Sequence, residues 1–193
     1  MSALDLLTLT LADSRGYNDI MKKIAGFTLV EMMIVLVLLA VVAGIGLPNL
    51  TQMVRNNQMT TQANSVLGAF QLARSEAVRR GVPVVVCGTR NGTSCDQTGW
   101  GQGWIVFANA SGTGNDPSAA GNEVIRVSLG AEGIDASVSG GSGTVVRFAE
   151  TSLLHANSAR EIRLARSTCG PERARRIQVV VGGRASVEEV PCS

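Results

Sequence analysis

Aromatic side chains are scarce in this chain: its 193 residues include two tryptophans, one tyrosine and four phenylalanines. So few large rings hold the hydrophobic core to a modest size. They also leave no rings interleaved with basic residues, on which nucleic-acid bases would stack. Histidine occurs once, at His155. A serine-type hydrolase needs an oriented base and an oxyanion site, and Leu153-Leu154-His155 supplies neither, so no catalytic residues are assigned and no enzyme is expected. There is no Cys-x-x-Cys and no Cys/His pair at metal-ligand spacing, which excludes the common zinc sites; no metal and no cofactor is expected. Lysine is absent after Lys23. The Gly140-Gly-Ser-Gly143 stretch therefore lacks the lysine, and the following helix, of a phosphate-binding loop, and reads as a flexible connection. No internal repeat is visible.

The apolar residues that are present are unevenly placed. A block from Phe27 to Leu50 holds many of them, and Lys22 and Lys23 stand just before it. A positive pair ahead of an apolar run directs insertion with the pair on the cytoplasmic side. Phe27 to Leu47 would make a helix of about 32 Å, enough to cross a bilayer. The run is too long for the apolar part of a secretory signal peptide, and it contains Glu31. A carboxylate inside lipid costs a few kcal/mol, and a free amine at Phe27 of a neighbouring subunit would supply its counter-charge. Gly44, Gly46 and Pro48 are expected to interrupt the helix, since proline removes a donor and clashes with the preceding turn.

Gly26-Phe27-Thr28-Leu29-Val30-Glu31 resembles the type IV prepilin signature. The resemblance implies cleavage between Gly26 and Phe27 by a prepilin peptidase, N-methylation of Phe27, and a role for Glu31 in registering subunits during assembly. Pro48 falls where pilins often carry a proline. Met21-Lys-Lys-Ile-Ala-Gly26 is a complete leader of this kind. Met1–Ile20 is then expected to be an upstream start or a longer leader, absent from the mature protein. The resulting division is 1–26 leader, 27–50 transmembrane half of the helix, 51–81 amphipathic half, and 82–193 a β-rich periplasmic head.

In an exported chain, four cysteines suggest two disulfides. Four allow three connectivities, and proximity along the sequence favours Cys87–Cys95 and Cys169–Cys192. Between Thr51 and Arg80, Ala63, Val66, Leu67, Phe70, Ala73 and Ala77 recur at 3–4 spacing and form an apolar stripe. Arg79 and Arg80 suit the last turn, and Gly81 with Pro83 ends the helix. Within Ala73-Arg74-Ser75-Glu76-Ala77, Glu76 lies three and four residues before Arg79 and Arg80, the spacing of a helix-surface ion pair and not of a catalytic group. Beyond Gly81 the period becomes two. The expected strands are Val82–Cys87, Trp104–Asn109, Glu123–Leu129, Thr144–Ala149, Glu161–Ala165, Arg176–Val181 and Ala185–Val190, with Gly182-Gly183 as a tight hairpin turn and residues 110–122 and 130–143 as loops. The fold class is α+β, a long N-terminal helix laid on an antiparallel sheet. Trp100 and Trp104 are expected in the core.

The run from Phe70 through Ala-Arg-Ser-Glu-Ala to Pro83, followed by Trp100-Gly-Gln-Gly-Trp104, resembles the FimT/GspH group of minor pilins and pseudopilins. That likeness implies a minor pilin of the type IV pilus, in or priming the filament at a tip complex, with other pilins, the prepilin peptidase and the inner membrane as partners. A minor pseudopilin of a type II secretion system shares the same logic. Between Arg160 and Arg184 stand seven arginines and two acids, either the solvated edge of a sheet or a phosphate-binding surface. Some FimT-like pilins bind DNA through a C-terminal Gly-Arg-x-Arg. Here Gly183-Arg184-Ala185-Ser186 keeps only the first arginine, and Arg173, Arg175 and Arg176 on the adjoining strand would have to complete a site for double-stranded DNA.

Overall fold

The computed structural model describes residues 26–141, 145–155, 161–167 and 173–192, without the side chains of 45–49. The leader with Lys22 and Lys23, Arg160 and Cys169 lie outside the described residues. Contacts divide the chain into one unit ending at Pro48 and another beginning at Asn49.

Helix α1 spans Leu29–Arg80. It runs unbroken through Gly44, Gly46 and Pro48, against the expected interruption; one lost donor leaves the bonds on either side to carry the helix across. Its start has a local cause. Thr28 precedes the first turn, and its Oγ1 accepts the N–H of Glu31 at 3.2 Å. Thr-x-x-Glu is the capping-box pattern, and a carboxylate in the first turn suits the positive end of the helix dipole. From Leu29 to Val42 the apolar side chains are exposed around the whole circumference, and those at Leu50, Met53 and Val54 are exposed as well. Among the described residues no helix is long and apolar enough to cross a membrane. Leu29–Gly44, the described stretch before residues 45–49, measures only about 24 Å at 1.5 Å per residue.

In the second unit the helix changes character. Met59, Ala63, Val66, Ala69, Phe70, Ala73 and Ala77 are buried, a stripe at 3–4 spacing that includes most of the expected residues; Leu67 is only half-buried. The stripe faces two four-stranded antiparallel sheets, where one was expected. The strands are β1 Val84–Gly88, β2 Gly103–Asn109, β3 Asn122–Leu129, β4 Asp135–Ser139, β5 Val145–Phe148, β6 Glu161–Ala165, β7 Ala174–Val179 and β8 Ala185–Val190. The first sheet has the order β3-β2-β1-β5 and the second β4-β6-β7-β8. Strand β4 lies inside the segment expected to be a loop. Its serines and neighbouring glycines hide a five-residue alternation in which Ala136 and Val138 lean on the core.

Every residue of β1 and β2 is buried, so the middle of the first sheet is covered on both faces, while its edge strand β3 is largely exposed. Val84, Val86, Trp104 and Val106 belong to the core beneath the helix. Val85, Cys87, Ile105, Phe107 and Val145 make a second cluster, on which Cys95 packs. The Cys87–Cys95 disulfide thus ties the loop after β1 down over that cluster. Cys192 is also disulfide-bonded, and its expected partner Cys169 lies outside the described residues. Trp100 is fully buried, edge-on to Phe70 at 5.8 Å between ring centres. Trp104 is buried and donates Nε1–H to Ser65 Oγ at 2.9 Å.

Candidate assembly motif and arginine surfaces

Phe27 is 71% exposed, ahead of a helix that shows no polar side in its first four turns. A helix apolar all round needs an apolar surrounding of lipid or other helices. Glu31 is the one charged side chain in that part of the helix, and its backbone N–H meets the Thr28 hydroxyl, a cap at the helix start that sequence reasoning missed, although Thr28-x-x-Glu31 was there to be read.

Of the four arginines proposed for a nucleic-acid surface, three are paired with carboxylates and one is exposed. Strands β7 and β8 are joined by a three-residue loop, closed by the Val180 N–H to the Arg184 carbonyl at 3.0 Å and the Gly183 N–H to the Val180 carbonyl at 2.8 Å. Gly183 has φ +74°, the left-handed residue this loop type needs. The resulting register sets Arg175 opposite Glu189 and Arg176 opposite Glu188. Arg175 is 8% exposed; its Nη2 lies 3.2 Å from Glu189 Oε2 and donates to Thr60 Oγ1 on the helix at 3.2 Å. Arg173 Nε reaches the same glutamate at 3.3 Å, and Arg176 Nη2 is 3.6 Å from Glu188 Oε2. Three arginines therefore share two carboxylates. Arg175 shares the helix-facing side with Ile177 and Val179, and Arg176 points to the opposite face, as strand alternation requires. Arg184 is exposed on the hairpin.

The Ser75–Glu76 pair is structural. Ser75 Oγ donates to the Leu72 carbonyl at 2.8 Å. Glu76 is ion-paired with Arg79, and with Arg80 Nε at 2.7 Å; Arg80 also reaches Glu123 Oε2 at 2.6 Å. Hydrogen bonds from Arg79 and then Arg80 hold the Glu76 carboxyl down at about 2. A carboxyl depressed on folding contributes stability that is complete above the usual carboxylate range and is lost as the pH falls toward 2. Melting followed from pH 6 to pH 2 should therefore show a decline to which Glu76→Gln contributes less, by about 1 kcal/mol. A variant with the unchanged pH slope would remove Glu76 from the account. His155 is exposed, and among the described residues no group of His, Cys, Asp or Glu could hold a metal ion.

The family profile for type II transport protein GspH matches residues 62–183, more than half of the chain. The chain belongs to the GspH family. The prokaryotic N-terminal methylation motif matches residues 21–47 of this GspH-family chain, and together the two place it among the minor pilins and pseudopilins. Crystal structures of the type IV minor pilin FimU of Pseudomonas aeruginosa are similar in fold. One has TM-score 0.54 at 20% identity, over 70% of this chain and 92% of that one. The other has TM-score 0.51 at 20% identity, over 67% and 91%. The minor pseudopilin EpsH of the Vibrio cholerae type II secretion system aligns at TM-score 0.46 and 11% identity, over 68% and 97%. No curated relative matches in sequence.

Proposed function

We propose that this chain is a minor pilin of the type IV pilus, cut between Gly26 and Phe27, methylated on Phe27, and anchored in the inner membrane by its apolar helix until it enters or primes the filament. The observation that carries this reading is the helix exposing apolar side chains on all sides from Leu29 to Val42 with Glu31 as its single charge. Such a surface is stable only within lipid or among other such helices. A neighbour's Phe27 amine would pair with the carboxylate there. Under this division the unit from Asn49 onward is the periplasmic head.

Glu31→Gln tests the assignment. Glutamine serves at the third position of a capping box as glutamate does, so the helix start is kept and only the charge is lost. Incorporation into filaments should fall roughly tenfold or more, as expected where a charge-assisted pair is broken in lipid. Mass spectrometry of the wild-type subunit should find methylated Phe27 as its first residue. Normal incorporation of the variant would remove the charge pairing, and a mature chain beginning before Phe27 would remove the cleavage site. The pseudopilin reading is supported by the family's own description as a type II transport protein. In a deletion strain, loss of surface filaments with secretion intact marks the pilin, and the reverse marks the pseudopilin.

A further inference from the structure

The peptide bond proposed for cleavage joins Gly26 to Phe27, just ahead of the start of α1 at Leu29. Gly26, Phe27 and Thr28 are exposed and belong to no helix or strand. Why the helix begins here, and not earlier, is a local matter. The Thr28 carbonyl accepts the Met32 N–H at 3.2 Å, and Thr28 Oγ1 accepts the Glu31 N–H at 3.2 Å. Thr28 therefore holds the capping position: its carbonyl takes the first helical bond, and its side chain satisfies the third N–H of the helix.

The hydroxyl bond decides which backbone groups stay out of the helix. Were α1 to start one residue earlier, the Glu31 N–H would turn to the Phe27 carbonyl, its partner in the helical ladder. Thr28 Oγ1 occupies that N–H instead. One residue earlier still, the Val30 N–H would take the Gly26 carbonyl, the group a peptidase must attack. Phe27 is no barrier to that extension, since its helix propensity is ordinary. Gly26 is the next residue acceptable as a cap. A cap at Gly26 would bond its carbonyl to the Val30 N–H and draw the bond to be cut into the helical ladder.

We propose that Thr28 is a positioning residue for processing: its hydroxyl starts the helix just past the cut and so leaves the Gly26–Phe27 peptide free of helical bonds for the peptidase. The inference rests on the cleavage reading above and says how this chain presents the bond. Hydrolysis adds water across that amide. The water oxygen bonds to the Gly26 carbonyl carbon, the C–N bond breaks, and a proton passes to the Phe27 nitrogen, which leaves as the free amine. A carbonyl already accepting a helical N–H is tied into the helix, whereas an extended segment offers its main-chain groups to a partner. The requirement at position 28 is then for a side chain that caps, not for threonine itself. Valine keeps the shape of threonine and loses the hydroxyl, while serine and asparagine cap at least as well.

The test is the cutting of the full-length chain by purified prepilin peptidase in detergent micelles, with the new N-terminus read by mass spectrometry. The wild type is compared with Thr28→Val, Thr28→Ser and Thr28→Asn. Thr28→Val should raise KM roughly fivefold and leave kcat unchanged, because losing the cap shifts the chain toward a form that the peptidase does not bind. Thr28→Ser and Thr28→Asn should be cut as the wild type is. A valine variant cut as readily as the wild type overturns the proposal. So does a loss confined to kcat, or serine and asparagine variants as slow as the valine one, since either would mean that the peptidase reads the threonine side chain directly. A wild-type chain left uncut between Gly26 and Phe27 overturns the processing reading instead.

Discussion

Phe70→Ala is expected to remove about 3–5 kcal/mol of stability, the range for deleting a buried phenylalanine side chain. Phe70 is 1% exposed at the middle of the helix stripe. Its ring meets Trp100 edge-on at 5.8 Å and Phe148 at 6.3 Å, so it joins the helix to the turn before β2 and to strand β5 at once. The residues beside it on the helix, Ala69 and Ala73, are small and already close to the sheets. They cannot move in to fill the space, and a site unable to collapse lies at the costly end of the range. Trp100 and Trp104 are the only tryptophans and both are buried, which makes fluorescence in a urea titration a direct probe. The midpoint should fall with little change of slope. Phe70→Leu, which keeps most of the volume, should cost under about 1.5 kcal/mol. Equal losses for both variants would show that volume at this position is not what joins helix and sheets.

That stripe was legible because helical period and burial agree over five turns, and tertiary packing had no reason to override them. Most strands were legible for the same reason at period two. The two-sided burial of β1 and β2 was not: Val84-Val85-Val86-Cys87 is apolar without alternation, and a run of that kind does not say what covers its second face. Cys95 of the disulfide-tied loop packs on that face, and Arg147, opposite Val85 in the ladder, donates to the Gly112 and Gly114 carbonyls of the loop after β2; both loops are largely polar. Strand β4 was lost because Asp135-Ala-Ser-Val-Ser139 puts only two modest apolar residues inward.

Which carboxylate Arg175 and Arg176 each meet was decided by register. With Gly182-Gly183 as a two-residue turn, Val181 would oppose Arg184 and Arg176 would oppose Glu189. The observed three-residue loop moves the pairing by one, and a one-residue slip changes both the partner and the face relationship across a hairpin. Glu188 and Glu189 then neutralise the strand that composition alone made basic. Net charge over a window cannot show this, because it ignores which residues a ladder sets side by side.

Gly101→Ala is expected to be nearly as damaging as the loss of Phe70, for the opposite reason. Gly101 ends the short 3-10 turn Gly99–Gly101 and is fully buried. A Cβ there would land on the carbonyl oxygen of Ile134, at a separation no real Cβ adopts, with the Ile134 side chain close behind. Ile134 is fully buried just ahead of β4, so either the turn carrying Trp100 or the approach to β4 must shift as backbone. Overpacking of this kind costs 1–3 kcal/mol and occasionally more; with both partners buried main chain, about 3 kcal/mol is expected. Gly182→Ala is the matched control. That hairpin glycine has no atom within 4 Å of an added Cβ, and the substitution should change stability by less than about 0.5 kcal/mol. Urea midpoints for the two variants decide the matter. A Gly101 variant as stable as the Gly182 one would mean that Trp100-Gly-Gln-Gly-Trp104 does not need its first glycine to seat β4 against the core.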